Sequence, residues 1–155
     1  MGAPTPSVLV VEDDRETRSL YESMLDDHEV EGVATGAEAL EATMARPVDI
    51  VLLDRGLPGL RGDTVAAELR RRGDPPMVAI VTGVEPDLDI LRLACDAYVT
   101  KPVTRHELRS TVGRLARRAD YDDRVSEYAA MAAKRATLDA AVDQEVLRKS
   151  QEYRA

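Results

Sequence analysis

The chain has no tryptophan and no phenylalanine, and aromatic residues make up only 3% of it. Its interior therefore has to be filled by Val, Leu, Ile and Ala, which suits strands covered by helices. A single cysteine, Cys95, excludes an internal disulfide and fits a reducing compartment such as the cytoplasm, the thiol serving as a small core hydrophobe. Lysine is scarce: Lys101, Lys134 and Lys149 are the three, all other basic residues being arginine, while 29 Asp and Glu outnumber 21 Lys and Arg. The net charge of −8 argues against a generally basic nucleic-acid surface and against attraction to anionic lipid, so any DNA contact has to be local or indirect. An acidic, lysine-poor surface fits work in high salt, whereas enrichment in Arg and Ala also follows from a GC-rich genome; composition leaves both open. No stretch approaches the roughly 18 apolar residues of a membrane-crossing helix. The opening Met1-Gly2-Ala3-Pro4-Thr5-Pro6 lacks the charged and apolar regions of a secretion signal, and Pro6 stands where a myristoylation pattern needs Ser or Thr.

What is present is an alternation of short apolar runs and helical patterns over 155 residues, enough for one well-buried domain and an appendage. Val8-Leu9-Val10-Val11 reads as a strand closed by Glu12-Asp13-Asp14, with Asp14 placed to cap a helix carrying Leu20, Met24 and Leu25. Glu29 to Ala34 reads as a second strand, and Thr35-Gly36-Ala37-Glu38 as a capping box opening a helix through Met44. Asp49 to Asp54 is a third strand, followed by a Gly/Pro loop and a helix over Asp63 to Arg72. The triplet Arg70-Arg71-Arg72 before Gly73 reads as a solvated helix end that complements the dipole. Met77 to Thr82 is strand four, Pro86 to Cys95 a helix, and Ala97 to Thr100 strand five. Thr104-Arg105-His106-Glu107 is a second capping box, starting a helix with Leu108, Val112 and Leu115 on one face. Such alternation predicts an α/β fold, a doubly wound five-stranded parallel sheet. The expected organisation is a tail over 1–6, a domain over 7–119 and a helical extension over 120–155.

An Asp after a strand commonly caps a turn, so Asp54 alone decides nothing. In a parallel sheet, however, ligands bind beyond the carboxyl ends of the strands. There the pattern gathers Glu12, Asp13, Asp54, Thr82 and Lys101. Three carboxylates together call for a cation, and hard oxygen donors favour Mg²⁺. The Thr82 hydroxyl and the Lys101 ammonium suit phosphate oxygens. A metal, a nucleophilic carboxylate and phosphate clamps describe phosphoryl transfer to Asp54.

Glu12-Asp13, Asp54 with Pro58 and Gly62 behind it, Thr82-Gly83, and Tyr98 with Lys101-Pro102 occur in order, and Val8 to about Ala119 resembles a two-component response-regulator receiver domain. The resemblance implies a flavodoxin-like (βα)5 fold with strand order 2-1-3-4-5. It further implies Asp54 as phosphoacceptor, with Asp13, Asp54 and the carbonyl of Gly56 as direct Mg²⁺ ligands and Glu12 acting through water. Thr82 and Lys101 would hold the phosphoryl oxygens, Tyr98 would turn inward as a switch, and a sensor histidine kinase would be the donor. Glu12 stands where Asp is more frequent. Gly56 and Val84 occupy the two positions that flank the hydrolytic water in this family, and neither can orient it, so a long-lived phosphoryl group is expected. Two other readings remain. A Mg²⁺-dependent phosphatase of the haloacid-dehalogenase type would need a second Asp where Gly56 stands, and a degenerate receiver would act only as an interaction module.

Arg55, His28 and His106 are expected at the surface. Beyond Leu115 there is no Gly or Pro, and helix is expected to continue or restart after Asp120-Tyr121-Asp122-Asp123. Val125, Tyr128 and Ala132 form one thin apolar stripe and Leu138, Val142 and Val146 another, to be covered by a partner, by the chain itself or by a second copy. Tyr128 to Leu138 resembles the start of the HalX domain of haloarchaeal regulators, implying a transcriptional output. A homodimer would form through the strand four/strand five face or the C-terminal helices. Arg114, Arg117 and Arg118 read as a charged helix end, and no helix-turn-helix signature is present.

Overall fold

The computed structural model describes residues 5–83, 93–119 and 130–136. Five strands, β1 (Ser7–Val11), β2 (Glu29–Val33), β3 (Ile50–Leu53), β4 (Met77–Thr82) and β5 (Ala97–Thr100), form one sheet in the order β2-β1-β3-β4-β5, with every neighbouring pair parallel. Around it lie α1 (Arg15–Met24), α2 (Gly36–Ala45), α3 (Gly62–Arg70) and α4 (Arg105–Ala119), and residues 130–136 are also helical. The helix expected over Pro86–Cys95 falls mostly outside the described residues. Its last three positions, Leu93 to Cys95, are not helical.

Unbroken apolar strands become intelligible once the sheet is covered on both sides, because alternate residues point to opposite faces. Leu9, Val11, Val51, Leu53, Val78 and Ile80 pack with Ala39 of α2, with Val65, Ala66 and Leu69 of α3, and with Leu93 and Cys95. Val8, Val10, Ile50, Leu52, Ala79 and Val81 pack on the other face with Tyr21, Leu25, Leu108, Val112 and Leu115. A chain without Phe or Trp thus builds two aliphatic layers, each buried side chain contributing about 1.5–3 kcal/mol.

The helix starts follow the local signals. The Asp14 carboxylate accepts from the Thr17 backbone N–H at 2.9 Å. Thr35 caps Glu38 N at 3.1 Å, and Thr104 and Glu107 form a reciprocal box, Glu107 N to Thr104 Oγ1 at 3.1 Å and Thr104 N to Glu107 Oε1 at 3.3 Å.

Several side-chain expectations are corrected. Leu20, assigned to the apolar face of α1, is 52% exposed, and Tyr21 takes its place beside the buried Leu25. The arginine triplet is only partly solvated: Arg70 donates to Asp96 Oδ1 at 3.3 Å and Arg72 to the Leu40 carbonyl at 3.3 Å, tying the end of α3 to its neighbours, while Arg71 is free in solvent apart from a Glu68 contact. Arg118 likewise donates to the Asp96 carbonyl at 3.0 Å rather than serving only as a charged helix end. His28 is mostly covered, its side chain 14% exposed; His106 is exposed as expected. In the tail Ala132 is exposed, so the chain's own domain does not cover it. Ala130 is buried and Lys134 Nζ donates to the Leu93 carbonyl at 2.7 Å, so one side of this segment meets the chain's own α/β domain, while Met131, Ala132, Ala133, Arg135 and Ala136 are exposed. Val125, Tyr128, Leu138, Val142 and Val146 lie outside the described residues.

This face assignment predicts a contrast between two leucines. Leu52→Ala should cost about 2–5 kcal/mol in urea denaturation, while Leu20→Ala should stay within about 0.5 kcal/mol of the parent.

Candidate functional site

The parallel ladder runs one residue past β1, β3 and β5, and this sets the site. Glu12 N bonds to the Val33 carbonyl at 3.1 Å, Asp54 N to the Val11 carbonyl at 3.1 Å and Lys101 N to the Thr82 carbonyl at 2.8 Å. Val11 pairs with Leu53 and Thr82 with Thr100, so the carboxyl ends of β1, β3, β4 and β5 lie side by side. Glu12, Asp13 and Asp54 each offer a carboxylate oxygen within 4.8 Å of the others. Lys101 joins them, its Nζ donating to Glu12 Oε2 at 2.8 Å and to Asp54 Oδ2 at 3.2 Å. The Lys101–Pro102 peptide bond is cis.

Each carboxylate sits in a different environment. Glu12 is 3% exposed; burial raises its pKa above the ordinary value, against the bonds from Lys101 and the Asp14 N–H. Burial also works against ionised Asp54, but the Gly56 N–H, Glu12 and Lys101 outweigh it and hold its pKa below the usual carboxylate range. The Gly56 N–H donates to Asp54 Oδ1 at 3.0 Å. Asp13 is exposed, open to a hydrated ion. For Lys101, burial opposes the charge, yet its bonds to Glu12 and Asp54 raise its pKa and keep it cationic. Thr82 is buried at the end of β4; Tyr98 is half-buried on β5, against the core cluster that contains Cys95.

The loop behind Asp54 is shaped by close packing. At Gly62 a Cβ would lie 2.2 Å from the Asp54 carbonyl oxygen and 2.8 Å from Arg55 Cα, backbone atoms that cannot give way, so only glycine lets α3 start here. Gly62 N donates to the Arg55 carbonyl at 3.2 Å, closing the loop.

Arg55 corrects the expectation of solvent exposure. It is buried, and its Nε donates to Asp63 Oδ1 and Oδ2 at 3.0 and 3.2 Å. A desolvated guanidinium requires a counter-charge, and the first turn of α3 supplies one. The acid eight residues on was the available sequence signal, but only the fold of the intervening loop brings it back. Arg18 was also missed: its Nη1 donates to the Glu12 carbonyl at 2.8 Å. No local pattern marks that contact.

Removing Lys101 should expose the repulsion it offsets. In Lys101→Ala the folded-state pKa values of Glu12 and Asp54 rise, and a carboxyl whose folded pKa exceeds its unfolded one costs stability above the unfolded value, about 4. Urea denaturation should therefore show a deficit of about 1–3 kcal/mol at neutral pH, shrinking as pH falls through 4; a deficit that grows on acidification would contradict it.

Comparison with known proteins follows the same geometry. Residues 8–113 match the response regulator receiver domain, and residues 117–155 match the HalX domain. A "Putative transcriptional regulator" of Haloferax volcanii is 42% identical over 134 residues, covering 85% of this chain and 23% of that protein. The transcriptional regulatory protein AruR of Pseudomonas aeruginosa is 39% identical over 126 residues, 75% of this chain and 51% of that protein. The chain thus spans about half the length of one relative and under a quarter of the other. Among solved structures, the receiver domain of the Francisella response regulator 1452 superposes with a TM-score of 0.70 at 25% identity, covering 75% of this chain and all of that one. The fold, the edge carboxylates and these matches agree: the chain belongs to the response regulator receiver domain family, and its C-terminal part matches the HalX domain.

Proposed function

We propose that this protein is a phosphorylation-controlled switch whose Asp54 accepts a phosphoryl group from a sensor histidine kinase. One observation carries the reading: the carboxylates of Glu12, Asp13 and Asp54 converge within 4.8 Å, and Lys101 bridges two of them. Mutually repelling oxygens at this spacing suit Mg²⁺, held by Asp13, Asp54 and the Gly56 carbonyl, with Glu12 acting through water. When bound, Mg²⁺ would neutralise charge on the transferring group.

The chain's own residues have separate tasks. Ionised Asp54 is the nucleophile: a carboxylate oxygen forms the new P–O bond as the P–N bond to the donor imidazole breaks. Gly56 N–H and Lys101 hold that carboxylate in place, so positioning and charge, rather than acid-base chemistry, lower the barrier. After transfer Lys101 exchanges a carboxylate for a phosphoryl oxygen, and the Thr82 hydroxyl takes another. Those new bonds favour one arrangement of the β4–β5 surface, with Tyr98 following Thr82. A homodimer through that face or through the C-terminal helices, and a transcriptional output through residues 120–155, complete the reading, with 7–119 as the receiver unit and 1–6 as a tail. The setting is the cytoplasm; among the described residues no helix is long and apolar enough to cross a membrane.

Incubation with acetyl phosphate and Mg²⁺ should add one phosphoryl mass to the wild type and none to Asp54→Ala; an equal gain in both would refute the assignment. Gly56 offers no side chain to orient a hydrolytic water, and Val84, its companion position, lies outside the described residues. The phosphoryl group should accordingly outlast minutes in the isolated protein, as followed by intact mass after donor removal; loss within seconds would overturn this.

A further inference from the structure

We propose that Arg18 is a positioning residue for the metal-binding turn: from α1 it clamps the Glu12 carbonyl and thereby sets the peptide that aims Asp13. The inference rests on the phosphoacceptor reading of the site.

The turn between β1 and α1 is held on both sides of the Glu12–Asp13 peptide, and Arg18 meets that peptide itself. Glu12 N is anchored on the Val33 carbonyl at 3.1 Å, the last rung of the ladder to β2. The Glu12 carboxylate is fixed by Lys101 at 2.8 Å and by the Asp14 N–H at 3.2 Å. Its carbonyl belongs to the peptide that leads into Asp13, and that oxygen accepts from Arg18 Nη1 at 2.8 Å in a part-buried bond. Asp13 itself is exposed. Its carboxylate is thus aimed by the backbone, and a rotation of the Glu12–Asp13 peptide would move it out of the cluster.

β2 is shaped to let Arg18 reach. At Gly32 a Cβ would stand 3.0 Å from both Cγ and Cδ of Arg18 and 2.0 Å from Glu22 Oε1, so the bare backbone of this edge strand leaves the channel along which the arginine stem runs. Glu22 could swing away from a side chain there. The Arg18 stem would have to give way by a few tenths of an ångström, along the path to its bond with Glu12. Gly32 thus serves the clamp at the cost of strand propensity.

Charge and position act in opposite directions, which makes the test decisive. A guanidinium bonded to the Glu12 carbonyl adds positive charge at the metal-binding turn and repels a divalent cation, so if Arg18 mattered only through its charge, removing it would tighten metal binding. If it positions the turn, removing it weakens binding, as loss of an outer-shell partner typically does by about 10–100-fold. The experiment titrates the full chain with Mn²⁺ by EPR, and with Mg²⁺ by competition, without phosphodonor. Arg18→Ala should raise the Mg²⁺ dissociation constant about tenfold while leaving the melting temperature of the metal-free protein nearly unchanged, and phosphoryl acceptance from acetyl phosphate should recover at saturating Mg²⁺. Arg18→Lys, which keeps the charge but loses the planar fork, should fall between the two. Should Arg18→Ala not fold, Arg18→Gln supplies the neutral variant. Unchanged or tighter Mg²⁺ binding in the neutral variant overturns the clamp. Wild-type binding that survives Asp13→Asn combined with Asp54→Asn puts the ion elsewhere and sinks the site reading, whereas binding lost in that pair yet indifferent to Arg18 sinks the clamp alone.

Discussion

Three acidic side chains cannot share one edge of a sheet without a cation among them, and in this fold the resident cation is Lys101. It arrives from the end of β5, 89 residues after Glu12, and bonds both Glu12 and Asp54. Much of the architecture serves that meeting. The parallel ladder places β1, β3 and β5 ends at one level, and the two aliphatic layers hold the sheet from both faces. In the proposed phosphoryl transfer, the same cation that compensates the acids would meet a phosphoryl oxygen, so resting charge balance and chemistry would use one side chain.

Around this centre the protein distributes positioning among backbone contacts. Gly62 lets α3 pack directly on the Asp54 peptide, Arg55 and Asp63 close the same loop from inside, and Arg18 meets the turn on the other side of the site. These contacts join α1, the loop after β3 and the start of α3 around one site. At the opposite end of β5, Asp96 accepts from Val78 N and Arg70, its carbonyl accepts from Arg118, and the helical segment 130–136 reaches Leu93. The tail is therefore in direct contact with the chain segment that leads into the strand carrying Tyr98 and Lys101, a physical route between the receiver domain and the region that matches HalX.

The sequence by itself determined the strand count, their parallel character and the identity of the edge residues. Each follows from local or periodic information: apolar runs of four to six residues, capping residues at helix starts, and polar residues at the end of each run. Side-chain destinations were decided by tertiary structure. Leu20 and Tyr21 are neighbours on one helix, yet which of them faces the core depends on how α1 is rotated against α4. Arg55 reads as an exposed cation until the loop to Asp63 folds back beneath it, and Arg70, Arg72 and Arg118 read as helix-end charges until Asp96 and the α2 carbonyls come within reach. Local propensity and periodicity act over a few residues and survive in the sequence, whereas the partner of a long charged side chain is chosen by which elements end up adjacent, and that choice exists only once the sheet has formed.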